Sequence, residues 1–181
     1  MIVLTEEQRG KSGFIEWIVI IAVSIIVALL IKTFILSSTL VMGNSMNPTL
    51  LQNDRLFVNK ISFMVKNVDR GDIVEIHAPD NPNKDYIKRV IGLPGDTIEI
   101  KNKSVYLNGQ ELYENYVSTN VTEPSNENNK WVVKENEIFV MGDNRYPRES
   151  KDSREFGTVS KDSIVGIAFY RYHPFKRMGK V

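Results

Sequence analysis

The chain has 181 residues, a formal net charge of +1, no cysteine and two histidines. This excludes a thiolate nucleophile, a disulfide and any cysteine metal site, and His77 and His173 fall in no metal-ligand pattern. The charge balance lacks the basic excess of a nucleic-acid binder, so no metal, cofactor or nucleic-acid partner is expected.

The first element is apolar. Residues 17–31 read WIVIIAVSIIVALLI, with Ser24 the only polar member. Extended to residues 14–36, the run is long enough as a helix to cross a hydrocarbon core of about 30 Å. A core helix would carry a polar face, and this segment is apolar all round. A cleaved signal peptide would have an h-region of roughly 7 to 15 residues and a small-residue cleavage site, and the match here is weak. The expectation is a retained, single-pass transmembrane anchor at 14–36 in a bilayer, behind an N-terminus of residues 1–13. Arg9 and Lys11 favour the inside for that N-terminus, which places residues 37–181 on the extracytoplasmic side of the cell membrane.

Residues 37–181 read as strand after strand: 55–60, 72–78, 86–92, 97–101, 104–112, 137–142 and 164–172. Alternation in TIEIK and SVYL, the Asn108-Gly109 turn and Gly-Asp pairs at 71, 95 and 142 favour antiparallel pairing. The expected fold is mainly β: an antiparallel, closed or partly closed barrel-like domain behind the anchor. Residues 118–130 are polar and asparagine-rich, and read as a mobile loop. The stretch RYHPFKRMGK at 171–180 is basic and aromatic, which suits either contact with anionic head groups or a solvated tail.

Without cysteine or a metal cluster, nucleophilic chemistry falls to serine, threonine, lysine or a carboxylate. The segment GNSMNPTL at 43–50 can present Ser45 on a tight bend, although most Gly-Asn-Ser bends are only turns. The common base would be histidine, yet His77 sits at a strand end beside Ala78 and Pro79 and reads as structural. Lysine serves if burial lowers its pKa by about 2 to 3 units. On a strand, Lys88 shares a face with Tyr86 and Val90 and so projects among apolar neighbours; the alternative is an edge-strand lysine that blunts aggregation. In GDNR at 142–145 and SKDSR at 150–154, interleaved arginines disfavour a metal site and point to a carboxylate–arginine network.

Taken together, the anchor, GNSMNPTL, RGDIV at 70–74, YIKRVIGLPGD at 86–96 and GDNR with SKDSREFG at 142–157 resemble the type I signal peptidases, in the short single-anchor form of Gram-positive bacteria. The resemblance implies a serine endopeptidase that removes signal peptides from exported precursors, with Ser45 as nucleophile and Lys88 as general base. It implies that Ser150 orients the lysine amine, that Asp143, Arg145, Asp152 and Arg154 support the site, and that Met46, Tyr86 and Ile87 line shallow apolar pockets for the substrate. Two features depart from the family pattern: Gly43 replaces a serine that in some members assists the oxyanion, and the Tyr-Pro-Arg-Glu link before Ser150 is longer than usual. A self-cleaving serine/lysine peptidase and a non-catalytic, membrane-tethered peptide-binding β-domain are the alternatives.

Overall fold

The computed structural model describes residues 6–30, 35–61, 68–125 and 127–181, with side chains described from residue 14 onward. The chain divides into two compact units, Met1–Leu36 and Ser37–Val181.

The first unit contains helix α1, Glu6–Leu30. Among the described residues, no helix is long and apolar enough to cross a membrane. Of the expected span at 14–36, residues 14–30 lie in α1, residues 31–34 lie outside the described residues, and Leu36 falls in strand β1 (Leu36–Leu40). Ser37, Ser38 and Thr39 fall in that strand, and serine and threonine lower helix propensity because their hydroxyls compete for backbone groups.

The second unit is mainly β and antiparallel. Its larger sheet runs in the order β1, β2 (Arg55–Asn59), β11 (Ile164–His173), β3 (Ile73–His77), β4 (Asp85–Gly92), β9 (Glu137–Met141), β10 (Val159–Ser160), with β12 (Gly179–Lys180) on β11. The smaller sheet runs β7 (Gln110–Glu111), β6 (Ser104–Leu107), β5 (Thr97–Lys101), β8 (Lys130–Val132). Among the described residues neither order returns to its starting strand, which makes a partly closed barrel. The large sheet curls enough for Thr39 on β1 to hydrogen-bond Glu75 on β3 at 2.7 Å, although β2 and β11 lie between them in the sheet. One α-helical turn, α2 (Ser153–Phe156), is capped by the Asp152 carboxylate, which accepts from Arg154 N–H.

Period-two burial builds the core. In β5 the pattern alternates so that Ile98 and Ile100 point inward, and Asn108 and Gly109 take the left-handed conformations that a two-residue β6–β7 hairpin needs. Ile98, Ile100, Val105 and Trp131 of the small sheet pack against Ile91, Phe139 and Met141 of the large one. A second cluster joins Val74, Ile76, Val90, Ile138 and Val140, and a third joins Val41, Met46, Leu50, Leu56, Val58 and Ile73. At Gly166 a Cβ would lie 2.7 Å from Asn59 O, so only glycine lets β11 run this close to β2.

The stretch 171–180 is neither a free tail nor wholly exposed. Arg171 and Arg177 both reach the buried Asp54 carboxylate, and Arg171 also donates to Thr49 O. Of the loop at 118–130, described except for residue 126, Thr122 is buried and β8 begins at Lys130.

Phe139 is fully buried, with its ring 5.0 Å from that of Trp131. Phe139→Ala is expected to cost about 3–5 kcal/mol, read as a lower denaturant midpoint with an unchanged slope.

Candidate active site

Ser45 stands on the bend between β1 and β2. Gly43 holds φ +83°, and Asn47 N–H donates to Asn44 O while Leu50 N–H donates to Met46 O, so the chain folds back on itself twice within one motif. Met46 and Leu50 are buried and plug the bend into the third core cluster. This leaves Ser45 half-buried with its hydroxyl facing β4.

Lys88 comes from the middle of β4 and is 3 % exposed. Its Nζ lies 2.9 Å from Ser45 Oγ and 3.1 Å from Ile87 O, and 5.2 Å from the centre of the Tyr86 ring. Burial pushes its pKa down to about 8 from the ordinary 10.5; the charges of Asp152 and Asp143 pull it up and that of Arg154 down. His77 lies three residues along β3 from Val74, the cross-strand partner of Lys88, which is roughly 10 Å of strand. It is exposed and bonded to Asp85, so it does not compete as the base.

The carboxylate–arginine network is present, with one pair inside the two segments and the other partners outside them. Asp152 pairs with Arg154 through two hydrogen bonds of 2.8 Å and also accepts from Gly142 N–H and the Ser150 hydroxyl. Against the upward push of burial, these bonds hold its carboxyl below the usual range. Asp143, however, pairs with Arg89, which grips it through Nε at 2.9 Å and Nη2 at 2.7 Å, and it also accepts from the Thr49 hydroxyl. Arg145 turns away to Glu114 and Thr122 and donates to Gly142 O.

Ser150 is buried, but its hydroxyl donates to Asp152, and the hydrogen bonds of Lys88 Nζ go to Ser45 and Ile87. The Asp152 carboxylate, fully removed from water, is the stronger acceptor. Ser150 still stands close by, since a Cβ on Gly142 would lie 2.3 Å from both Ser150 Oγ and Ser45 O. Of the three residues expected at the substrate pockets, Met46 is core, while Tyr86 and Ile87 are half-buried; the Tyr86 hydroxyl donates to Asp80.

Four contributors were not singled out in the sequence. Asn144 fastens the two loops, its N–H donating to Ser45 O at 2.9 Å and its side-chain amide to Asn44 O. Its place inside GDNR was the available signal. Arg89 adjoins Lys88 and Thr49 falls within GNSMNPTL, but nothing in either pattern names their partner, and Glu114 lies in no motif. Among the described residues no group of acidic and histidine side chains could hold a metal. The arrangement as a whole offers a hydroxyl held against a buried, readily neutral amine, which is the requirement for nucleophilic attack with a lysine base.

A family model described as "Signal peptidase, peptidase S26" matches residues 14–173. Signal peptidase I P of Bacillus subtilis subsp. natto is 40% identical over 192 residues, covering 98% of this chain and 99% of that protein. Signal peptidase IB of Staphylococcus aureus (strain N315) is 38% identical over 180 residues, covering 91% and 92%. A crystal structure of a signal peptidase I from Enterococcus faecalis V583 is 33% identical, covers 56% of this chain and 97% of its own, and aligns with a TM-score of 0.48.

Arg89→Ala leaves the Asp143 carboxylate buried without its cation. It is expected to cost about 3–5 kcal/mol, seen as a lowered thermal midpoint. Gly142→Ala is expected to separate Ser45 from Ser150 and to reduce turnover far more than stability elsewhere in the sheet would explain, measured by kcat beside the thermal midpoint.

Proposed function

The chain belongs to the signal peptidase family, peptidase S26, and from that premise we propose that Ser45 and Lys88 form its catalytic dyad, cleaving signal peptides from exported precursor proteins. The protein is a serine endopeptidase. The observation that carries the dyad is the 2.9 Å approach of Lys88 Nζ to Ser45 Oγ with the amine out of water.

In the proposed reaction, neutral Lys88 takes the Ser45 proton as Oγ attacks the scissile carbonyl. The lysine then gives the proton to the departing amine, leaving an acyl-enzyme that water hydrolyses with the same lysine as base. The developing oxyanion needs preorganised donors, and Ser45 N–H is available, since it donates to no acceptor among the described residues. Gly43 adds no side-chain donor there. Asp143, Arg145, Asp152, Arg154 and Ser150 act by holding the two loops, and Tyr86 and Ile87 border the place where the residues before the cut would lie.

The proposed location is the cell membrane, with the apolar segment at 14–36 as a single-pass anchor and residues 37–181 on the extracytoplasmic side. The side chains of α1 support this: from Phe14 to Leu30, large apolar residues are about half exposed on every face, which in water would be unfavourable and in lipid is not. Isoleucine and valine dominate that helix and are weak helix formers in water, whereas in hydrocarbon the backbone must satisfy its own hydrogen bonds. Secretory precursors present their cleavage site next to a membrane-embedded segment, so a tethered peptidase meets it there.

Ser45→Ala and Lys88→Ala are each expected to lower kcat/KM for a precursor by on the order of 10³-fold or more with the fold intact, and Lys88→Arg is expected to be equally inactive because guanidinium stays protonated. Retained turnover in any of the three would rule out the dyad. Because the base must be neutral, kcat/KM should rise with pH through about 8 and fall roughly tenfold per pH unit below it. A flat profile down to pH 5 would exclude lysine.

A further inference from the structure

Strand pairing leaves one stretch of the large sheet open beside the dyad. β4 pairs with β3 from Asp85 to Arg89, but β9 joins its other edge only from Arg89 onward, where Arg89 lies opposite Met141. Residues 85–88 therefore present an unpaired strand edge among the described residues. β1, which leads into Ser45, stands at one end of the sheet order and presents another. A peptide lying between these edges as an added strand would turn alternate side chains onto the face that carries Ile87.

That face is mixed in character. Part of it is apolar, because Ile87 packs against the cluster containing Val41, Met46 and Ile73. Beside Ile87 it also carries polar groups. Glu75 lies directly opposite Ile87 in the β3–β4 register and on the same side of β3 as Ile73, and it is 6 % exposed. Its Oε1 accepts from the Thr39 hydroxyl of β1, and its Oε2 accepts from nothing among the described residues. Two positions back on the same side of β1, the Ser37 hydroxyl is buried and likewise has no partner among the described residues. Burial pushes the Glu75 carboxyl above its usual range, with Asp85 adding to the rise against the Thr39 bond, Lys60 and His77.

A strut between β1 and β3 requires only the Thr39–Glu75 bond. It does not account for the buried Ser37 hydroxyl, which costs free energy until a partner arrives, or for the second Glu75 oxygen beside it, which has only solvent to bind among the described residues. A carboxylate has about four acceptor sites, and Thr39 uses one.

We propose that Glu75, with Ser37 and Thr39, makes the peptidase favour precursors that carry a hydrogen-bond-donating side chain (serine, threonine, asparagine or lysine) shortly before the cut over those with an aliphatic one there. This rests on the Ser45/Lys88 reading of the site. An aliphatic side chain would displace water from Glu75 Oε2 and return nothing, whereas a donor replaces that water. Glu75 does not touch the reacting atoms and acts on substrate choice alone.

The test uses the full chain in detergent micelles and peptides that differ only at the second to fifth residues before the cut, each in turn valine, serine or lysine. At one of these positions the wild-type protein is expected to cut the serine or lysine peptide about tenfold or more better than the valine peptide, in kcat/KM. Glu75→Val should abolish or invert that ratio. Glu75→Gln should keep the serine preference and lose most of the lysine preference. Each ratio compares substrates on one enzyme, so partial loss of stability in a variant cancels. Equal ratios for wild type and Glu75→Val at every position, with both still cutting the common parent peptide, would overturn the role of Glu75 and leave the dyad standing. Failure of the wild-type protein to cut any peptide would overturn the dyad and this proposal with it.

Discussion

A lysine can accept a proton near neutral pH only if its amine is kept out of water, and the structure around Lys88 is organised by that constraint. Burial brings its pKa from 10.5 to about 8, a difference of about 3 kcal/mol set against folding when the amine is charged. That penalty is present below pH 8, where folded and unfolded chains both carry the proton. It is relieved as pH rises from about 8 towards 10.5, where only the unfolded chain would keep it. The rest of the domain has to offset it, and three packed clusters on a curled antiparallel sheet supply the apolar burial that does so.

The same constraint explains why carboxylates so near the site come with arginines. Asp143 and Asp152 are fully buried, and each draws the lysine pKa upward. Left unpaired, they would hold the proton on Lys88 and would themselves be costly. Arg89 and Arg154 take up the two charges with paired hydrogen bonds, so the carboxylates become rigid fasteners for loops instead of counter-ions for the amine. Asp152 binds Gly142 N–H, and Asn144 binds Ser45 O, so one short segment holds both the lysine surroundings and the serine bend. Gly142 permits this because a side chain there would collide with Ser45 and Ser150 at once.

Several elements were legible in the sequence because they depend on local rules. The alternation of TIEIK is β5, and Asn108-Gly109 is the hairpin turn between β6 and β7. Lys88 on an apolar strand face and Ser45 on a bend followed from periodicity and turn chemistry. Strands β1, β8, β10 and β12 were not legible, because they are short, carry no clear alternation or adjoining turn signal, and exist through their partners. The swap of Asp143 to Arg89 and Arg145 to Glu114 was equally hidden, since an arginine pairs with whichever carboxylate packing brings to it.

Sequence alone determined the chemical inventory: no thiol, no metal cluster, one long apolar helix-forming run, a serine bend, and a lysine whose strand neighbours are apolar. Those are properties of residue type and of spacing along a few neighbours, where period two and turn stereochemistry operate. Tertiary structure decided the rest, because it concerns residues far apart in the chain. Ser45 follows β1 at one end of the sheet order and Lys88 lies on β4, four strands along, so they meet only because the sheet curls; the same curl lets Thr39 reach Glu75, while part of the β4 edge stays open.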